Sequence, residues 1–291
     1  MILRETMTTN DTYMFQDDGL ETPEIGQWGI TKHEKIEYYS SVFASSMKNK
    51  WDCRLYIDLY AGAGKSRIKD SEKIVPGSPL IALNVDCTFD KYIFCEKVPS
   101  NMDALQKRVI KYFPTCNVSY VCNDINDSLD ELFSYIPNFN SSYKGLALCF
   151  VDPFKMGELD FKTLKIISEK LYVDFLVLIP SYMDIHRNKD TYTLPNNNAL
   201  DTYLGTDKWR EDWGKNKKPY EEFGMFITEQ FCSQMKNSGF LYEGNKDLVL
   251  VKANLANQLR LYHLGFFSKS PLGLKFWRDT KKNTEKQLRL F

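Results

Sequence analysis

Short apolar runs alternate with amphipathic stretches along the middle of the chain, and this constrains the fold more than any other feature. Residues 55–59, 91–95, 118–122, 145–151 and 175–179 each read as a strand that is apolar on both faces. Such strands must be covered on both sides, which requires helices in both layers and a parallel sheet. The segments between them have helical spacing. Met102, Leu105 and Val109 share one face of a helix over 99–112, and Leu164, Ile167 and Leu171 share another. Leu129, Leu132, Phe133 and Ile136 mark a helix between these two. From Lys32 the pattern is also helical, with Ile36, Tyr39, Val42 and Phe43 on one side, Thr31 placed to cap it and Glu34 completing a capping box. A polar loop then leads to Gly77-Ser78-Pro79, which opens a helix through Leu80, Ala82 and Leu83. The expected class is α/β: a Rossmann-like, doubly wound, mostly parallel sheet.

Residues 1–25 lack periodicity and read as a flexible or loosely docked arm, followed by one α/β domain over 26–291. After the fifth strand the alternation pauses in a polar and aromatic insert, 184–222, a length that usually carries function. The pattern resumes with a helix over 223–235 and strands over 247–253 and 260–267, the last expected to be antiparallel.

Composition narrows the surroundings. The formal net charge is zero, so bulk charge recruits neither nucleic acid nor membrane, although a local basic patch remains compatible. No apolar run approaches the ~20 residues needed to span a bilayer, and the polar, acidic start has no signal-peptide core. The seven cysteines are scattered singly, and Cys95 and Cys149 fall in apolar runs. Together these point to reduced thiols in a cytoplasmic protein. With only His33, His186 and His263 in the chain, the sequence argues against a histidine-rich metal site.

Ligands of open α/β sheets bind outside the carboxyl ends of the strands. The first strand ends in Asp58-Leu59-Tyr60-Ala61-Gly62-Ala63-Gly64, where small residues let backbone approach a ligand and Gly62 and Gly64 can take positive φ. The second ends in Glu96, suited to two ribose hydroxyls, and the third in Asp124, suited to an adenine amino group. The fourth ends in Asp152-Pro153-Phe154. Two other nucleotide readings fit less well. Gly64-Lys65-Ser66 ends like a phosphate-binding loop, but Leu59 stands where its first glycine belongs. The dinucleotide fingerprint lacks its third glycine. Lys65 and Arg67 can serve an anionic substrate, but read more simply as solvated loop charges.

The order of glycine turn, ribose acid, adenine acid and Asp-Pro-aromatic at successive strand ends resembles the S-adenosylmethionine-dependent methyltransferase fold of class I type. A closer resemblance is to the three-Cys-motif partner protein family, TcmP, from about Trp28 to Trp277. It is carried by Lys32-His33-Glu34-Lys35-Ile36, the run from Tyr56 to Gly64, Pro76-Gly77-Ser78-Pro79-Leu80, Phe150-Val151-Asp152-Pro153-Phe154, and Ser270-Pro271-Leu272-Gly273-Leu274-Lys275-Phe276-Trp277. The resemblance implies a methyltransferase-like fold, encoded in bacteria or phage beside a separate three-Cys-motif protein as partner. The resemblance of the strand-end order to the methyltransferase fold implies S-adenosylmethionine as cofactor, with Asp58, Tyr60, Ala61, Gly62, Gly64, Glu96 and Asp124 around it.

Nucleic-acid amino-methyltransferases carry [DN]PP[YFW] at the fourth strand end; Asp152-Pro153-Phe154 is one proline shorter. If these three residues are catalytic, Asp152 orients an acceptor amine and Phe154 stacks on a base; otherwise they form a tight turn with Phe154 in the core. Tyr60, Tyr182, Trp209 and Trp213 either line an acceptor pocket or pack core and lid. His186 is either a base or a solvated loop residue. Methyl transfer mainly requires donor and nucleophile held in line at about 3 Å, so no triad or metal cluster is expected. Two function classes follow: a methyltransferase with a nucleic acid base amine as leading acceptor, or a catalytically silent partner acting through protein contacts.

Overall fold

The computed structural model describes residues 14–26, 29–215, 219, 222–253 and 259–288. The class is α/β with a seven-stranded, mostly parallel sheet. The chain divides into two compact units, one of residues 1–150 with 275–291 and one of residues 151–274.

In the first unit, β1 (Glu24–Ile25) leads to α1 (Gly29–Met47), then to β2 (Cys53–Asp58), β3 (Lys65–Ile68), β4 (Ile74–Pro76), α2 (Ser78–Leu83), β5 (Lys91–Cys95), α3 (Pro99–Tyr112), β6 (Val118–Val121) and α4 (Leu129–Ser134). The next strand, β7, spans Gly145–Val151. The parallel strands run in the order β6-β5-β2-β7. The chain therefore winds from β2 outward through β5 and β6 and returns to the other side of β2. This reversal is the topological switch point, the place where open α/β sheets generally bind their ligands. All six residues of β2 are buried, including the charged Arg54, which pairs with Asp90, and Asp58. Pro79 lies in the first turn of α2 and Pro99 in that of α3, where a missing N–H costs nothing. Tyr39 of α1 meets Trp277 edge-on, at 5.8 Å between ring centroids.

Three expectations change here. Helix α1 begins at Gly29, so Thr31 lies inside it and not at its N-cap position. The stretch read as a polar loop after the glycine turn is a hairpin: β3 pairs antiparallel with β4, turning at Asp70 with φ +59°, and pairs parallel with β1. Residues 14–25, expected to belong to a loose arm, contribute that strand and several buried contacts described below.

In the second unit, α5 (Phe161–Lys170) precedes β8 (Val173–Ile179), followed by α6 (Met183–Tyr192), α7 (Ala199–Leu204), α8 (Trp209–Lys215), α9 (Phe223–Asn237), β9 (Leu248–Ala253) and β10 (Leu259–Phe267). Strand β10 pairs antiparallel with both β8 and β9, as expected. The described residues of the insert fold largely into α6, α7 and α8. Trp209 is buried and donates its indole N–H to Asp201 at 2.6 Å, while Trp213 packs on Phe223 and Phe226. Both tryptophans pack the helices of the insert. A last helix, α10 (Pro271–Leu288), begins in this unit and ends in the first. Among the described residues no helix is long and apolar enough to cross a membrane.

The Ser-Pro-Leu-Gly stretch opening α10 has a local explanation. A Cβ at Gly273 would stand 2.5 Å from Ser268 Oγ and 3.1 Å from Asp174 Oδ2. Asp174 is buried, and burial pushes its carboxyl up to about 7 against the opposing hydrogen bond from Ser268. Its pKa in the folded chain exceeds the unfolded value. It therefore contributes stability at low pH that is lost as pH rises from 3.8 through about 7. A tenfold change in a protonation constant corresponds to about 1.4 kcal/mol. Asp174→Asn should therefore melt near wild type below pH 4 but several degrees higher at pH 8; a pair of melting curves at each pH checks this.

Candidate functional site

Backbone hydrogen bonds continue the parallel ladder past the ends of β2 and β5. Leu59 N–H donates to Phe150 O at 3.0 Å, Ala61 N–H to Cys95 O at 2.8 Å and Glu96 N–H to Val121 O at 3.0 Å. These bonds set the glycine turn, Glu96 and the 122–124 segment side by side at the switch point. Asp58 is buried beneath the turn, its Oδ1 accepting from Tyr60 N–H at 3.2 Å, and Tyr60 is half-buried. Gly62 and Gly64 take φ of +62° and +82°, the left-handed region that their sequence foreshadows.

Glu96 joins two elements. Its Oε2 accepts from Gly62 N–H at 2.9 Å and its Oε1 from Val98 N–H at 2.8 Å, at the residue that precedes α3. An anion is favoured there by the helix N-terminus. A carboxylate oxygen has two lone pairs, so each oxygen can accept once more. A Cβ placed on Gly62 would meet no atom within 4 Å, which leaves open space over the turn. Asp124 Oδ1 accepts from Asn126 N–H and Nδ2 at 3.0 and 2.9 Å and so caps the short turn Ile125–Asp127. Its Oδ2 accepts no hydrogen bond from a described residue.

The turn is also braced from behind. Gly77 N–H donates to Gly64 O at 2.8 Å, and a Cβ on Gly77 would lie 3.3 Å from that peptide group, which accounts for glycine in the Gly-Ser-Pro stretch. Arg108 of α3, fully buried, donates through Nη1 to Ala63 O at 2.6 Å. Its remaining donors reach Asp18 Oδ1 and Oδ2, Thr22 Oγ1 and the carbonyls of Leu20 and Glu21. Lys65 is not a solvated loop charge: it is 1% exposed, with Nζ 2.9 Å from both Asp18 Oδ2 and Gln16 O. A phosphate-loop role for this lysine is thereby disfavoured. Arg67 pairs with Asp17 and Glu72. Burial raises the Asp18 carboxyl, but hydrogen bonds and charge from Arg108 and Lys65 outweigh it and hold it well below the usual carboxylate range. Sequence reading missed Asp18 and Arg108 because no local pattern marks a contact between an irregular segment and a distant helix.

In the second unit, Asp152 is half-buried and Pro153 buried. Phe154 is 87% exposed, so it does not fill the core. The loop backbone is fixed at two points: Phe154 N–H donates to Glu158 Oε2 at 3.1 Å and Met156 N–H to the buried Asp184 Oδ2 at 2.9 Å. Asp184 also accepts from Tyr192 Oη and Asn188 Nδ2, both at 2.7 Å. Beyond β8, Ser181 Oγ lies 2.8 Å from His263 Nδ1, and burial, with Arg260 adding, pushes that imidazole down to about 4. Arg260 is exposed; its guanidinium lies 5.7 Å from the ring centroid of the buried Tyr182 and donates to its hydroxyl at 3.3 Å. Burial, and then the charge of Asp152, raises the Tyr262 hydroxyl well above its ordinary value. The side chain of His186 lies outside the described residues.

No protein-family model matches the chain, and no curated protein does. Solved structures similar to it include a Legionella pneumophila protein of family DUF519, with 15% identity and a TM-score of 0.47, the match covering 85% of this chain and 90% of that one. Magnesium protoporphyrin IX methyltransferase from Synechocystis PCC 6803, with bound SAH, has 7% identity and a TM-score of 0.41 over 82% and 84%. An rRNA methylase from Streptococcus thermophilus has 9% and 0.38 over 82% and 95%.

The two left-handed glycines should differ in their tolerance. At Gly64 an alanine Cβ would also stand 2.8 Å from Leu105 Cδ1, whereas Gly62 has only the backbone cost. Strain at such a position costs on the order of 1–3 kcal/mol. Gly64→Ala should therefore lose more stability than Gly62→Ala in urea unfolding, by about 1 kcal/mol or more.

Proposed function

We propose that this chain is an S-adenosylmethionine-dependent methyltransferase. The observation that carries this reading is Glu96 at the second strand end, tied to Gly62 N–H of the glycine turn and to Val98 N–H before α3. Its unused lone pairs suit the two ribose hydroxyls, Asp124 Oδ2 suits the adenine amino group, and the open space over Gly62 suits a close backbone approach. Asp58, Tyr60, Ala61 and Gly64 form the turn that shapes this cradle. When bound, the cofactor would supply a methyl group activated on a positive sulfur.

The chain's own residues then have the remaining task of orientation. Asp152 accepts a hydrogen bond from the acceptor amine and aims its lone pair. Pro153 stiffens the loop, and the exposed Phe154 offers a ring face to a planar base. A nucleic acid base amine is the leading acceptor on this reading, with Arg260 available as an exposed cation for phosphate. A three-Cys-motif protein is the proposed partner, and the cytoplasm the proposed location. The missing second proline favours one other reading, a catalytically silent partner. Labelled S-adenosylmethionine incubated with RNA, DNA and the partner separates the two: a labelled acceptor supports the enzyme, and none across all acceptors supports the silent protein.

Glu96→Ala should weaken cofactor binding about ten-fold or more, since hydrogen bonds to a charged group are worth ~1.5–3 kcal/mol; calorimetric titration reads this. Asp152→Ala should abolish transfer while cofactor affinity stays within about three-fold, because its contribution is made in the transition state. A fully active Asp152→Ala enzyme would remove the catalytic assignment.

A further inference from the structure

We propose that Asp18 is a positioning residue for the cofactor turn, acting through Lys65 and Arg108; the inference rests on the cofactor reading above. The two cations have no side-chain exposure and both pair with the Asp18 carboxylate, itself 8% exposed. Each is joined to the turn. Arg108 holds Ala63 O, and Lys65 follows Gly64 directly as the first residue of β3. The segment supplying Asp18 is fixed on both sides of it. Gln16 O accepts from Lys65 before it; Thr22 Oγ1 and the Leu20 and Glu21 carbonyls accept from Arg108 after it. Farther on, β1 pairs with Arg67 and Ile68 of β3.

Removing one partner from a buried ion cluster leaves uncompensated charge, which is far more disruptive than removing a balanced pair. Without Asp18, Lys65 and Arg108 repel one another at low dielectric. Their separation displaces Ala63 and Gly64, which carry the geometry of the turn. The role is thus one of charge balance: it differs from packing in that removing one cation along with the carboxylate should restore the turn.

The test is calorimetric titration of S-adenosylhomocysteine into wild type, Asp18→Asn, and Asp18→Asn with Lys65→Met, alongside amide hydrogen exchange at Ala61 and Gly62 in the ligand-free proteins. Asp18→Asn should bind about ten-fold more weakly or worse and exchange faster at those two amides, with its far-ultraviolet circular dichroism unchanged. The double variant should return to within about three-fold of wild type and regain the slow exchange. The proposal is overturned if folded Asp18→Asn matches wild type in affinity and exchange, or if the double variant is no better than the single one. If Asp18→Asn fails to fold, the double variant decides alone, and its failing to fold or to protect the turn also overturns the proposal. A wild-type protein that binds no S-adenosylhomocysteine defeats the cofactor reading instead, and the exchange comparison still judges Asp18.

Discussion

The glycine turn after β2 must hold a left-handed backbone at two positions, Gly62 and Gly64, while leaving the space above it open. Its polar groups are therefore satisfied from outside the turn. Glu96 takes the Gly62 N–H, Arg108 the Ala63 carbonyl and Gly77 the Gly64 carbonyl. Each clamp comes from a different element, so the turn is over-determined, the condition under which a sparsely populated backbone conformation persists. The elements in turn owe their positions to the parallel strands. Because β5 and β7 lie on opposite sides of β2, the turn emerges where the chain reverses its winding.

Much of this was legible in the amino-acid order. The strand at 145–151 and the helix at 99–112 coincide with β7 and α3, because a buried parallel strand and an amphipathic helix leave unmistakable apolar periods. Glycine at 62 and 64 marked the left-handed turn for the same local reason. Where sequence reading failed, the cause was long-range. Lys65 looks like a loop charge until Asp18 arrives to pair with it, and the hairpin around Asp70 is too short and polar for a period of two to show. Thr31 has the right neighbours for a cap, yet the chain turns helical earlier, at Gly29. Phe154 is apolar, and composition alone cannot tell a core ring from one held out in solvent.

In the second unit, polar side chains also constrain a loop. Asp184 and Glu158 take backbone N–H groups of the Asp-Pro-Phe loop, so that its exposed ring is presented by a fixed backbone. A rigid loop spends little entropy on binding, which fits the stacking role proposed for Phe154. Along β10, the buried imidazole of His263 meets Ser181 Oγ and the guanidinium of Arg260 lies against Tyr182.

The proposed cofactor site is built on the glycine turn and Glu96. Amide hydrogen exchange of the wild-type chain, with and without S-adenosylmethionine, tests this most directly. Slower exchange at Ala61, Gly62 and Val98 on adding the cofactor is the expected result, because a ligand over the turn shields those amides and stabilises their bonds. Tight binding with protection confined to other segments, or no binding at all, would contradict it.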